Sequence, residues 1–188
     1  PLVRTFISWM GGVDASRTAV SCALSEQQQS NRLGISPGGI AEMFESYPKP
    51  GYHPNDEAAL LRHRNGIFKL ALQHNVPIVP VYCFGATKMF RRLQLPQFLE
   101  SLSRYLKISL CLLYGQMGLP IPFRQRLMYV IGKTIWPSVS SIDAGNLSGE
   151  EFNQHVQEMH DAFCTEILRI FDRNKEHYGW KNKLLRII

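Results

Sequence analysis

Leu33-Gly34-Ile35-Ser36-Pro37-Gly38-Gly39-Ile40-Ala41-Glu42-Met43 is the stretch on which the reading of this chain turns. The run from Arg32 to Ser36 reads as a short strand, Ser-Pro-Gly-Gly as a tight turn, and the residues after Gly39 as a helix with an acid in its first turn. Such a strand–turn–helix leaves backbone N–H groups without partners at the helix N-terminus, where they can hold a phosphate or a developing oxyanion. Gly38 and Gly39 let a ligand come close to the backbone. Taken alone, Pro-Gly-Gly is more often the signature of an ordinary tight turn, so its meaning depends on its surroundings.

Upstream, Pro1 to Met10 carries apolar residues compatible with a short helix closed by Gly11-Gly12. Val13-Asp14-Ala15-Ser16 then supplies a cap for a helix to about Gln28. Downstream, Tyr47 to Asp56 is a loop by its prolines and glycine. Asn65 is expected to cap a helix over Gly66 to His74, and Val76 to Phe84 reads as a buried strand. Its two prolines, Pro77 and Pro80, argue against a central position with every N–H in the ladder. Met128 to Ile135 reads as another strand. Ser148 with Glu151 three residues on is a capping box opening a long helix to about Tyr178. Phe152, Val156, Met159, Phe163, Ile167, Ile170 and Phe171 give that helix a core-facing stripe. Helix followed by buried strand, repeated, predicts an α/β fold whose sheet is covered by helices.

The chain has 188 residues, 45% hydrophobic and 19% charged, with a net charge of +6. That excludes a disordered chain and allows one domain over residues 1–188 with a real core. The positive balance calls for an anionic partner. No basic run is interleaved with aromatics, so nucleic acid is not the expected one. Four cysteines lie far apart, at 22, 83, 111 and 164, without metal-ligand spacing, so free thiols are expected and no metal site. Lys88 to Lys107 reads as a basic amphipathic helical region, and Ile108 to Phe123 as an almost uncharged, Gly- and Pro-broken run. Together, residues 88–123 are expected to form a membrane-interface region.

Several motifs stand in one order: Pro37-Gly38-Gly39-x-x-Glu42, Arg64-x-Gly66-x-x-x-x-Ala71, and Pro77-Ile78-Val79-Pro80-Val81-Tyr82-x-Phe84-Gly85. Leu113-Tyr114-Gly115, Val130-Ile131-Gly132-Lys133-Thr134-Ile135 and Ile170 to Gly179 come after them. This succession resembles the diacylglycerol acyltransferase type-two family, which includes monoacylglycerol and wax-alcohol acyltransferases. The resemblance covers about Val3 to Gly179. The family's His-Pro-His-Gly box is not among these residues; His53-Pro54 continues as Asn55-Asp56 instead. The chain therefore reads as the C-terminal part of such an enzyme. Two departures are visible: His63 stands at a usually basic position, and Thr134 where the family usually has proline.

The resemblance implies a glycerolipid acyltransferase-like α/β fold, N-terminally incomplete, with a mostly parallel sheet and helices on both faces. It implies transfer of a fatty acyl group from acyl-CoA to diacylglycerol, with acyl-CoA as donor substrate and no separate cofactor. The base would be a histidine of the box, outside this chain. Pro37, Gly38 and Gly39 would bind substrate through the turn, and Glu42 would orient the acceptor hydroxyl or that histidine. Arg64, with Lys69 on the next helix, would hold the coenzyme phosphates, because guanidinium pairs bidentately with phosphate oxygens. Implied partners are acyl-CoA, an acylglycerol acceptor and membrane lipids, with a homo-oligomer left open. The implied location is the cytosolic face of the endoplasmic reticulum, extending to the lipid droplet. A monoacylglycerol, wax-alcohol or lysophospholipid acceptor, and a catalytically inactive lipid-associated module, remain as rivals.

Overall fold

A computed structural model of the chain describes residues 12, 16–24, 33–37, 56–92, 113–119, 121–139 and 148–188. Its elements in order are α1 (Arg17–Leu24), β1 (Glu57–Ala59), α2 (Gly66–Gln73), β2 (Val81–Phe84), β3 (Arg91–Arg92), β4 (Leu113–Tyr114), β5 (Met128–Ile131), α3 (Gly149–Tyr178) and β6 (Leu185–Ile187). Among the described residues the strands pair as β1 with β6 in parallel, and β2 with β5 and β3 with β4 antiparallel. The chain is thus mixed helix and strand. By contacts it divides into two compact units.

The first unit comprises Pro1–Ser36, Asn65–Ile78 and Thr134–Ala162. Ser16 begins α1 as expected: its hydroxyl accepts the Ala19 N–H at 3.3 Å. Helix α2 buries Phe68, Ala71 and Leu72, and the Phe68 ring meets the buried His160 ring edge-on at 5.2 Å. Asn65 does not cap α2 with its side chain, contrary to expectation. It sits in the helical region (φ −77°, ψ −8°), so its carboxamide cannot turn back onto the first N–H groups. Ile78 and Ile135 exchange backbone hydrogen bonds at 2.9 and 2.8 Å. The capping box at the start of α3 forms as read. The Glu151 carboxylate accepts the Ser148 N–H at 3.0 Å and Ser148 Oγ accepts the Glu151 N–H at 3.3 Å. The Ser148 N–H foremost, and then the Ser148 hydroxyl, which donates to the same carboxylate at 2.9 Å, hold the Glu151 carboxyl below the usual carboxylate range.

The second unit comprises Pro37–Arg64, Val79–Lys133 and Phe163–Ile188. Its core is aromatic. Phe84 and Phe171 are fully buried and stack with centroids 5.5 Å apart, and Tyr82 packs edge-on against both at 4.8 and 5.4 Å. Helix α3 ends in a two-bond turn: the Gly179 N–H donates to Glu176 O at 3.0 Å and the Trp180 N–H to Lys175 O at 2.7 Å. That turn brings Trp180 against Phe84 at 5.7 Å and Tyr178 at 4.7 Å. Gly85, directly after β2, has φ +89°. A side chain there would be strained and would also run into the Tyr178 hydroxyl and Arg126 O, which hydrogen-bond each other. The outward face of the β2–β5 ribbon is apolar too, with Val81, Tyr129 and Ile131 all exposed.

Three sequence expectations are corrected. Residues 33–36 form no strand; Ile35 is exposed there, so no burial rewards extension. Residues 88–92 are not helical as expected: Lys88 closes a 3-10 turn (Ala86–Lys88) and Arg91–Arg92 pair with Tyr114 and Leu113. Glu57–Ala59, directly after the expected loop, is a strand. Residues 1–10, residues 25–28 and the helix expected after Gly39 lie outside the described residues.

Candidate functional site

Of the residues singled out by sequence, Pro37 is half-buried, Arg64 is exposed, and Lys69 is half-buried on α2. Gly38, Gly39 and Glu42 lie outside the described residues. Pro37 and Arg64 belong to the second unit and Lys69 to the first. The backbone bonds of Arg64 and Lys69 are local: the Arg64 N–H donates to Leu61 O at 3.0 Å and the Lys69 N–H to Asn65 O at 3.1 Å. The described residues therefore do not bring Arg64 and Lys69 into one hydrogen-bonded set.

Two histidines meet a hydroxyl in the first unit. His155 Nδ1 lies 2.9 Å from Ser138 Oγ and 3.1 Å from a Glu158 oxygen. Both contacts fall on the same ring nitrogen. A relay from serine through histidine to an acid needs the two ring nitrogens to face different partners, so this trio is not arranged for nucleophilic catalysis. His74 Nε2, directly after α2, lies 3.1 Å from Ser21 Oγ on α1, a hydroxyl–imidazole pair at base distance.

Two charged clusters in the second unit escaped the sequence reading. In one, the buried Glu166 carboxylate receives Arg169 in two bonds of 2.6 Å and the Lys133 backbone N–H at 2.6 Å. The Arg169 guanidinium, helped by that N–H, holds Glu166 down at about 2 against the opposing effect of burial. Gly132 lies directly against this site. A Cβ there would stand 2.5 Å from Ile170 Cδ1 and 2.9 Å from Glu166 Oε1, which accounts for glycine in the Val130-Ile131-Gly132-Lys133 motif. Glu166 sits on the core stripe of α3, where an acid among apolar residues was the available signal.

The other cluster centres on Glu57, buried at the start of β1. Lys183 Nζ donates to its Oε1 at 2.5 Å and Thr87 Oγ1 to its Oε2 at 2.8 Å. The Lys183 ammonium lies 4.0 Å from the Trp180 ring centroid. Lys88 and Arg91 belong to the same neighbourhood. Although Lys88 as a residue is exposed, burial lowers its affinity for the proton, and the adjacent Lys183 ammonium lowers it further against the pull of Glu57. Arg91 stands with its guanidinium 5.4 Å from the Phe123 ring centroid. Beyond β4 the chain turns tightly, held by Gly115 N–H to Leu119 O at 2.7 Å and Gln116 N–H to Ile121 O at 2.8 Å. This turn leaves Met117, 95% exposed, with Leu119 and Ile121 in solvent, close in sequence to the exposed Arg124 and Arg126.

No described helix is long and apolar enough to cross a membrane. A family model described as diacylglycerol acyltransferase matches residues 1–187. The chain is 26% identical over 191 residues to bovine 2-acylglycerol O-acyltransferase 1, covering 95% of this chain and 52% of that protein. It is 26% identical to human acyl-CoA wax alcohol acyltransferase 1 (95% and 53% covered) and 23% identical to human diacylglycerol O-acyltransferase 2 (95% and 46%). The chain thus spans about half the length of the curated relatives it matches. No solved structure matches it.

Proposed function

Because the chain belongs to the diacylglycerol acyltransferase family, we propose that it works within an acyl-CoA-dependent O-acyltransferase that transfers a fatty acyl group to the free hydroxyl of diacylglycerol, giving triacylglycerol. The observation that carries this reading is the family match along residues 1–187. In the reaction the acceptor oxygen attacks the thioester carbonyl, the C–S bond breaks, and the hydroxyl proton passes through a base to the departing thiolate. The base is a histidine supplied from outside residues 1–188. Pro37, Gly38 and Gly39 line the substrate, Glu42 orients the acceptor or the base, and Arg64 and Lys69 serve the coenzyme phosphates. No cofactor beyond the donor substrate takes part.

The same reading makes residues 1–188 one acyltransferase domain built on a mostly parallel sheet with helices on both faces. Its support is the parallel pair of β1 with β6 and, for cover on both faces, the apolar outward side of the β2–β5 ribbon at Val81, Tyr129 and Ile131. The enzyme works at the cytosolic face of the endoplasmic reticulum and on lipid droplets, and residues 88–123 meet the lipid surface through Met117, Leu119 and Ile121.

The test is transfer of labelled acyl chains from acyl-CoA to diacylglycerol in micelles, comparing residues 1–188 with a longer chain that carries a His-Pro-His-Gly box. Activity is expected only from the longer chain, since a positioned base is typically worth 10²–10⁴-fold. Activity of residues 1–188 abolished by His74→Gln would place the base at the His74–Ser21 pair instead. Better turnover with monoacylglycerol or a long-chain alcohol would move the acceptor within the family.

A further inference from the structure

We propose that Met117 is an oxidation site, and that converting its thioether to the sulfoxide releases the chain from a lipid surface. The site follows from exposure and backbone geometry; the release rests on the reading that residues 88–123 meet the lipid surface. The turn that carries Met117 is locked by its own bonds. The Gly115 N–H donates to Leu119 O, the Gln116 N–H to Ile121 O, and Gln116 Nε2 to Pro122 O at 2.9 Å. The Phe123 N–H, bonded to Met89 O at 2.8 Å, ties the far end down. Gly115 admits this close pass, since a Cβ there would stand 1.8 Å from Ile121 O. Met117 stands at the tip with φ +55°, a left-handed conformation that glycine or asparagine adopts more easily. None of the bonds above uses its side chain, which is 95% exposed. A stiff backbone thus holds an apolar thioether outward, where it adds nothing to the core, with the exposed Leu119 and Ile121 close behind it.

The other described methionines are sheltered: Met159 is buried, and Met89 and Met128 are half-buried. A hydroperoxide therefore reaches the Met117 sulfur first. The sulfur lone pair attacks the outer peroxide oxygen, and the O–O bond breaks. The hydroxyl proton passes to the departing oxygen, which leaves as an alcohol, or as water where the oxidant is hydrogen peroxide. Sulfur gives up two electrons and the peroxide takes them, so the step balances with no further reagent. The product is polar and accepts hydrogen bonds, whereas the thioether was apolar. A sulfoxide at the tip must leave water, or stay in it and keep the tip out of the lipid. Leu119 and Ile121 are untouched, so binding weakens without vanishing.

The test treats residues 1–188 with graded hydrogen peroxide and locates oxidation by peptide mass spectrometry. Met117 sulfoxide should form before the sulfoxides of Met89, Met128 and Met159. Flotation with phosphatidylcholine–phosphatidylserine vesicles should then show the bound-to-free ratio falling about tenfold, the scale of taking one apolar side chain out of an apolar phase. Cys22 is exposed as well, so the loss should persist after a thiol reductant and be reversed by methionine sulfoxide reductase. Met117→Leu should float as the unaltered chain does and keep floating after peroxide. The melting temperature should stay unchanged on oxidation and in the variant, because the side chain is exposed. A second arm exposes the bound chain to vesicles containing a fatty-acyl hydroperoxide. Met117 sulfoxide formed there, but not by hydrogen peroxide added to the bound chain, identifies the lipid as the source of oxidant; the reverse identifies dissolved peroxide. Oxidation of Met89 or Met128 as early as Met117 would overturn the site. A chain that floats equally before and after Met117 oxidation would overturn the release alone. An unoxidised chain that never floats would end the lipid-contact reading, and the release with it.

Discussion

The Glu166 carboxylate accepts the Lys133 backbone N–H at 2.6 Å across 33 positions of sequence. That single bond fixes the Gly132–Lys133 turn, at the end of the β5 strand, onto helix α3. Because Arg169 grips the same carboxylate twice, the acid holds the turn without being left as an unpaired buried charge.

Glu166→Gln should therefore destabilise the chain by about 2 kcal/mol, the scale of a lost charge-assisted hydrogen bond at a buried site. The pH dependence has a definite sign. Glu166 is held at about 2 in the folded chain against an ordinary 4.5. Its contribution is complete above about 4.5 and is lost as pH falls from there toward 2. Urea unfolding between pH 6 and 2.5 should show a falling stability that flattens in the Gln variant. An identical slope in both proteins would deny Glu166 this role.

Gly132→Ala should lower stability by about 1–3 kcal/mol, the usual cost of overpacking, because the new methyl meets Ile170 Cδ1 and Glu166 Oε1. Combining it with Glu166→Ala should relieve part of the clash, so the double variant should lose less than the two single losses added together. Thermal melts of the four proteins provide the comparison.

Glu42→Gln, made in a longer chain with the His-Pro-His-Gly box, should reduce turnover at least tenfold while leaving the melting temperature within a degree or so. An interaction made only in the transition state is read in the rate. The reverse pattern, a lowered melting temperature with full turnover, would make Glu42 a structural acid.

Local sequence carries some parts of this molecule and not others. The Ser148–Glu151 cap and the Val156–Met159–Phe163–Ile167–Ile170 stripe were legible because both depend on spacings of three and four residues in one helix. Strand β1 was not. Glu57-Ala58-Ala59 has no β-forming composition, and it becomes a strand through partners at Lys183, Leu185 and Arg186, more than 120 positions away. Arg91–Arg92 looked helical by charge alternation but is extended by pairing with Leu113–Tyr114. In the candidate site, Arg64 was legible as a motif residue, whereas Lys183 lay beyond the last motif and gave no local signal. Gly38, Gly39 and Glu42 rest on pattern alone.

Residues 1–188 should float with anionic vesicles at moderate salt, through the apolar turn after β4 and its basic flank. Met117→Asp with Leu119→Asp should reduce the floated fraction severalfold, because both side chains are exposed and add nothing to the core. Protein left wholly in the soluble fraction before substitution would end the membrane-surface reading.

The parallel pairing of β1 with β6 carries a consequence for how the chain acquires its structure. Glu57 and Asp56 meet Lys183 and Arg186 across 126 and 130 positions, and the backbone ladder joins Glu57–Ala59 to Leu185–Ile187. On the ribosome, Glu57 is made long before its counter-charge exists. The second unit cannot close over it until residues 183–187 have emerged, so its last step comes after nearly all of these residues have been released into solution. Closing so long a loop is slow, and during that interval β1 lacks its only described ladder partner, so its backbone N–H and C=O groups are open to other chains.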